Sequence, residues 1–312
     1  ASGQPARSLP QTYRKDDRLQ SRHLQSEGKT LLQETFDYDE RGRLTSHLCT
    51  GTQLPVDRYG NAIVEQTFTF DPLDNLRQVH TRFADGSDDT CIRTFADGSD
   101  ANAKPGATNL NPCQLIKLTH SHADYPDSLE LSYDQNGNLR FDENGQELLY
   151  DTQSRLVQVK DSGGQVVARY HYDAHDMLCG EVHGSAAQTR RFHQGDRLDC
   201  SVQDNTRFSY LHDEARPVAQ QQVGAAAGNL LLLTSANNSV IGESQGQTLR
   251  EVSYSAYGEP GNQAMQCPLG FNGELRDRST GWYLLGNGYR AYNPYLMCFH
   301  SLDSVSYTHL TL

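Results

Sequence analysis

The sequence predicts an all-β fold, a spiral or solenoid of antiparallel β-hairpins. Two observations carry this. A short turn element recurs along the chain, written aromatic, Asp, two variable residues, Gly/Asp/Ser, one polar or Met residue, Leu. The stretches between turns alternate apolar and polar with period two, as half-buried strands do. A third observation is negative: no convincing amphipathic helix of ten or more residues is visible.

The turn element appears as Phe36-Asp-Tyr38-Asp39-Glu-Arg-Gly42-Arg-Leu44 and as Phe68-Thr-Phe70-Asp71-Pro-Leu-Asp-Asn-Leu76. It returns as Leu131-Ser-Tyr133-Asp134-Gln-Asn-Gly137-Asn-Leu139, Tyr150-Asp151-Thr-Gln-Ser-Arg-Leu156 and Tyr172-Asp173-Ala-His-Asp-Met-Leu178. Phe70 and Tyr133 are 63 residues apart, which is three units of 21; the next intervals are 17 and 22. A period near 20 with irregular members fits stacked hairpins. In each unit the aromatic is expected to end a strand with its ring on the buried face. The Asp accepts backbone N–H groups and opens the turn. Gly, or Asp as a substitute, takes the positive-φ position. Leu begins the return strand.

The chain in order agrees. Arg7 to Arg22 is locally basic but diluted by Asp16 and Asp17, so residues 1–30 read as a solvated strand or linker. Residues 31–253 carry the repeats. They are interrupted at 83–112 by a tandem copy, Phe83-Ala-Asp-Gly-Ser-Asp88 and Phe95-Ala-Asp-Gly-Ser-Asp100, whose Asp-Gly steps signal hairpins. Ala101 to Pro112 reads as an exposed loop. Asp161-Ser-Gly-Gly164 is a turn, and Ala225-Ala-Ala-Gly-Asn229 a connection. Thr248 to Tyr257 reads as a further alternating strand. Leu269 to Ser304 then concentrates five glycines, four tyrosines, two phenylalanines and the only tryptophan, Trp282. Aromatics give large buried area per residue, so a compact turn-rich β unit is expected there.

Composition narrows function. Hydrophobic residues make up only 36% and mean hydropathy is −0.69, yet sixteen Tyr and ten Phe argue against disorder. A net charge of −12 disfavours a nucleic-acid partner. Seven cysteines without a C-x-x-C pair support neither a zinc ribbon nor a disulfide framework, and read as small buried hydrophobes. Residues 1–30 lack the apolar run of a signal peptide, and Leu230 to Leu233, the longest aliphatic run, is too short to span a membrane.

Several chemical motifs weaken on inspection. Asp161-Ser-Gly163 matches the aspartic-protease triplet, but it has no second copy to share a proton and reads as a hairpin. His120-Ser-His122 with Asp124 could present ligands on one strand face; with no second cluster, polar surface histidines are expected. Asp134-Gln-Asn136-Gly137 lacks the distal Glu of a calcium loop. No nucleophile elbow is present. Trp282 and its tyrosines could stack on a sugar, though core packing is the better reading. No catalytic residue, cofactor or metal site is assigned.

The aromatic-Asp turns resemble YD repeats of the RHS family. Tyr254-Ser-Ala-Tyr257-Gly258, then Leu269-Gly270-Phe271-Asn272-Gly273, then Gly281-Trp282-Tyr283-Leu-Leu-Gly286-Asn287-Gly288-Tyr289-Arg290-Ala-Tyr292-Asn293-Pro294, closely resemble the RHS-repeat-associated core. The likeness runs from about residue 30 to 304 and is nearest to the C component of insecticidal Tc toxin complexes. It implies a partial YD-repeat shell around residues 31–253 and the start of the core at 254–304. It implies a bacterial, extracellularly delivered protein that encloses its own C-terminal toxin and works with a B-type shell component and a pore-forming A-type component. It implies neither a nucleic-acid nor a membrane partner. Two other roles stay open: a cell-surface adhesion or carbohydrate-binding module, and an aspartic autoprotease core whose aspartates lie beyond residue 312. Cys298 and Leu302 depart from the family pattern, and residues 305–312 read as a non-native tail.

Overall fold

A computed structural model describes residues 6–97, 111–195, 197–224, 227–261, 264–286 and 288–302. Asn287, the end of the second Phe-Ala-Asp-Gly-Ser-Asp copy, most of the 101–112 loop and the 305–312 tail lie outside the described residues. The chain is all-β: strands joined by tight turns, with one short 3₁₀ turn, Phe271–Gly273, among the described residues.

The chain forms two compact units. The first comprises residues 1–130 and 246–265. Its sheet runs β1 (Arg7–Ser8), β3 (Leu19–Ser26), β4 (Lys29–Tyr38), β5 (Leu44–Gly51), β6 (Ile63–Phe70), β7 (Leu76–Phe83), β8 (Asp88–Phe95), β9 (Leu115–Thr119), β10 (Ser128–Glu130), with β2 (Gln11–Tyr13) also paired to β3. The second comprises residues 131–245 and 266–312. There β11 (Glu147–Tyr150), β12 (Leu156–Lys160), β13 (Val166–Tyr172), β14 (Leu178–His183), β15 (Thr189–Gln194), β16 (Arg197–Gln203), β17 (Thr206–Asp213), β18 (Arg216–Val223), β19 (Gly228–Thr234) and β20 (Val240–Gln245) follow one another in sheet order. β21 (Thr248–Glu251) belongs to the first unit. β22 (Tyr283–Leu285), β23 (Arg290–Asn293) and β24 (Cys298–Phe299) form a separate three-stranded sheet in the second.

Each strand pairs with its sequence neighbour, so almost every pairing is local and antiparallel. The alternation sets the faces. In β8 every second residue, Asp89, Cys91, Arg93 and Phe95, is buried. The cores are lined by Phe36, Phe68, Val79 and Phe83 in the first unit and by Leu148, Val159, Tyr170 and Leu178 in the second.

Three sequence readings change in detail. Of the strand-or-linker alternatives for the N-terminal segment, residues 7–26 take the first and supply three strands of the first sheet. The strand expected over 248–257 stops at Glu251, and Ser255 to Glu259 closes a turn instead (Ser255 N–H to Glu259 O, 2.9 Å); the Glu251 carboxylate accepts from Arg7 (2.7 and 3.1 Å) and Gln53 (3.0 Å). The cysteines divide: Cys49, Cys91, Cys200 and Cys267 are buried, whereas Cys113 is exposed and Cys179 and Cys298 are half-buried; all seven are free thiols.

The β3–β4 hairpin turns through Glu27 (φ 49°) and Gly28 (φ 77°), between the paired Ser26 and Lys29. Two positive φ values define a type I′ turn, which favours Asn-Gly. Glu27 is exposed. Glu27→Asn is therefore expected to raise the unfolding free energy by about 0.5–1 kcal/mol, measured by urea denaturation; an unchanged or lower midpoint refutes this turn assignment.

Candidate functional site

The recurring turn is one structure used many times. In the turn after Tyr38, the Asp39 Oδ1 accepts the backbone N–H groups of Arg41 (3.0 Å) and Arg43 (2.9 Å), while Gly42 takes φ 84°. The turns at Asp71, Asp134, Asp151 and Asp173 repeat this, each Oδ1 taking the second and fourth following N–H at 2.8–3.0 Å. The third following residue has positive φ: Asp74, Gly137, Ser154 and Asp176. Asp161, of the Asp-Ser-Gly triplet, caps the same kind of turn.

The aromatic before each Asp pairs across the hairpin with the Leu after it: Tyr38 with Leu44, Phe70 with Leu76, Tyr150 with Leu156, Tyr172 with Leu178. The register slips one step before each of these aromatics. Such bulges raise local twist. The rings were expected on the buried face, yet Tyr38, Phe70, Tyr133, Tyr150 and Tyr172 are only half-buried. They lie at the margin of the core, where a polar neighbour covers them.

That neighbour is the residue four places after Asp. Arg43 binds its own Asp39 Oδ2 (2.6 Å) and the positive-φ Asp74 of the next turn (2.7 Å), and lies 4.8 Å over the Phe70 ring. Arg155 does the same with Asp151 (2.8 Å), Asp176 (2.7 Å) and the Tyr172 ring (4.9 Å). Asn138 is a shorter version, donating to Asp134 Oδ2 (2.9 Å) and to Ser154 Oγ (3.3 Å). Tyr38 and Tyr172 donate their hydroxyls to the carbonyls of Leu19 and Leu156, which open the return strands of preceding hairpins. The turns thus form a ladder in which each fixes the next.

Two rungs escaped sequence reading. Phe141-Asp142 carries the same turn, with Gly145 at φ 73°. Tyr13 to Leu19 does too, with Arg14 in place of Asp and Asp17 at φ 61°. A search keyed to aromatic-x-x-x-x-x-Leu finds the Tyr13 turn but not the other, where Glu147 stands in place of Leu and pairs with Phe141.

The glycine- and tyrosine-rich stretch is the same turn with other first residues, and it falls in both units. In the first unit, Ser255 replaces Asp: its Oγ accepts Glu259 N–H (3.1 Å) and Gly258 takes φ 90°. There Tyr254 is buried and Tyr257 packs edge-on against Phe68 at 5.1 Å. In the second unit, Gly270 replaces Asp; Leu269 bridges to Leu275, and Asn272 and Gly273 have φ 55° and 76°. Gly288, at φ 93°, must be glycine, since a Cβ would sit 2.3 Å from Leu178 Cβ. Its carbonyl takes the Tyr172 hydroxyl (3.0 Å), and Tyr289 donates to Gln153 O (2.9 Å). Gly281 and Gly286 also have positive φ. Asn293 Oδ1 accepts the N–H groups of Tyr295 and Leu296, next to Pro294. Tyr292 and Arg290 both pack on Phe299, at 5.3 and 4.1 Å.

Trp282 and Tyr283 are 1% exposed, and His300 stands edge-on to Trp282 at 4.4 Å. The tryptophan is core and offers no face to a sugar. Neither ring nitrogen of His300 has a hydrogen-bond partner among the described residues, and burial pushes its pKa down to about 3.

The candidate metal residues part company. His120 Nδ1 pairs with Asp89 (2.8 Å) and its ring stacks on Tyr125, so it is not a surface residue; His122 is 3.8 Å from Asp124. Burial lowers the His120 pKa, but Asp89 outweighs it and lifts it to about 9. Two other clusters bring ligand atoms together among the described residues: Glu34, His47 and Cys49, and Glu181, His183 and Asp277. In the first, burial would raise the Glu34 carboxyl, but the Arg22 guanidinium and the His47 ring hold it at about 2.

The comparisons agree with this architecture. The Teneurin YD-shell family matches residues 6–311. The chain belongs to the Teneurin YD-shell family. No curated protein matches it significantly. Among solved structures, the YD-shell chain resembles TcdB2-TccC3-Cdc42 (TM-score 0.61, 16% identity) and a Photorhabdus luminescens Tc holotoxin pore carrying a TccC3 mutation (TM-score 0.62, 15% identity). In both cases 96% of this chain is covered but only 17% of the other. It also resembles TcdB2-TccC3 without its hypervariable C-terminal region (TM-score 0.56, 16% identity, the same coverage). The shared property is the fold: an RHS/YD-type shell fold built from antiparallel hairpins.

Two outcomes follow. Arg155→Ala should lower unfolding free energy by roughly 1–3 kcal/mol, because it removes two charge-assisted bonds and a ring contact. Arg190→Ala, at an exposed position of β15, should change it by less than about 0.5 kcal/mol; equal effects refute the ladder. For His300, the depressed pKa means the unfolded chain binds the proton more readily, so stability falls as pH drops below about 6.5 toward 3. His300→Phe should flatten the loss of Tm between pH 6.5 and 5; a parallel decline in both proteins refutes this.

Proposed function

We propose that this chain is a shell segment of an RHS/Tc-type bacterial toxin protein that encapsulates, and helps deliver, a C-terminal toxic effector. The observation carrying this reading is the ladder of turns. Within each unit it ties locally paired hairpins together, and the likeness to TcdB2-TccC3 structures spans 96% of the chain. Sheets of sequentially ordered hairpins suit containment better than catalysis. Within this reading, residues 31–253 are wall, 254–304 begin the RHS core, and residues 305–312 stand apart. The partners are the chain's own C-terminal toxin domain, a B-type shell component and a pore-forming A-type component, in a protein delivered outside the bacterium. Self-cleavage, if the parent performs it, uses residues beyond 312.

The reading is tested on the parent polypeptide co-expressed with a B-type shell component. The segment downstream of residue 304 should resist trypsin in the native complex and be digested once the shell is unfolded. Digestion of that segment at the rate of the free segment overturns containment.

A further inference from the structure

We propose that Glu181, His183 and Asp277 form a binding site for a divalent transition-metal ion of the zinc class. This goes beyond the shell reading and does not depend on it.

The ligands come from two elements of the second unit. Glu181 and His183 lie two residues apart on β14, so the strand directs both to one face. Asp277 opens the turn that precedes Trp282. His183 Nε2 is 3.3 Å from Glu181 Oε1 and 3.7 Å from Asp277 Oδ2. The second distance is too long for a hydrogen bond. Zinc bonds of about 2.0–2.1 Å set tetrahedral ligand–ligand edges of about 3.3–3.5 Å; the first distance matches and the second needs a closure of only a few tenths of an ångström.

Burial points the same way. Glu181 and Asp277 are 6% and 1% exposed. The facing cation on the neighbouring strand is Arg191, bonded to Glu181 Oε1. Arg276 and Arg278 also line the cavity, with their hydrogen bonds directed to the carbonyls of Gly281 (3.3 Å) and Gln266 (2.6 Å) rather than to the carboxylates. Glu181 Oε2 is buried with no hydrogen-bond partner among the described residues. An orphan carboxylate oxygen at this depth is costly, and it supplies a further donor to a cation.

The surroundings are those of a ligand set held in place. Tyr170 donates to Asp277 Oδ2 (2.7 Å), and the N–H groups of Ser279 and Thr280 fix Asp277 Oδ1. His183 Nδ1 is 2.6 Å from Ser279 Oγ. With Nδ1–H donating to that hydroxyl, Nε2 is left as the lone-pair nitrogen facing the carboxylates, the tautomer a metal requires. A cavity of about 240 Å³, lined by Glu181, His183, Arg191 and Ser279, gives access and room for a fourth ligand. The Glu34–His47–Cys49 cluster lacks the unmet oxygen: Arg22 forks onto both Glu34 oxygens.

The test is calorimetric titration of the EDTA-stripped 312-residue chain with zinc chloride at pH 7.5. One zinc per chain is expected. His183→Gln should weaken binding by at least about tenfold, Ser279→Ala by about tenfold through the imidazole orientation, and Cys49→Ser not at all. Absence of stoichiometric binding overturns the proposal, as does equal affinity in His183→Gln or loss of binding in Cys49→Ser. Should His183→Gln not give the parent circular-dichroism spectrum, the exposed Ser279→Ala decides alone, and unchanged affinity there overturns the site.

Discussion

Everything regular in this protein depends on one carboxylate geometry. At each turn an Asp Oδ1 accepts two backbone N–H groups that a five-residue loop would otherwise leave without partners. The second oxygen then faces sideways and accepts from the residue four places on. That residue, when it is Arg, has reach to spare and spends it on the following turn. A local capping interaction thereby becomes a long-range one without any long-range pairing of strands. Charge-assisted bonds of this kind are stronger than neutral ones, and here they sit at half-buried positions where solvent screens them only in part.

The same constraint explains the aromatic residues. A ring one step beyond a bulge is turned toward the rim of the core, where a flat cation can cover it. Arg43 over Phe70 and Arg155 over Tyr172 solve the problem identically at two places. The sheets are therefore held along these turns by guanidinium–ring contacts, and between turns by aliphatic and aromatic packing. The glycine-rich segment departs from this economy. Its turns begin with Ser255 or Gly270, so it loses the sideways-facing carboxylate and relies on buried aromatics and close backbone approach.

Buried polar groups fall into two kinds. Glu34 with Arg22 and His47, and Asp89 with His120, are closed pairs whose members satisfy one another. Glu181, His183 and Asp277 are open: the donors and acceptors around them orient the side chains yet leave one Glu181 oxygen unmet. His300 is a third case, a neutral imidazole used as an aromatic edge against Trp282.

Sequence alone determined the fold class and the position of most turns, because period-two alternation and the Asp-to-Gly spacing are local and fix backbone conformation residue by residue. It also placed Trp282 in a core and the Asp-Ser-Gly triplet in a hairpin. It missed the turns at Tyr13 and Phe141, where the first or last residue departs from the pattern while the backbone does not. Tertiary structure alone decided which arginine meets which ring, since Arg43 and Phe70 are brought together by two hairpins and not by spacing. It likewise divided the 254–304 stretch between two units and joined Asp277 to β14 nearly a hundred residues earlier. Side chains so far apart in sequence meet only after the sheet has set their faces, and no local rule encodes the meeting.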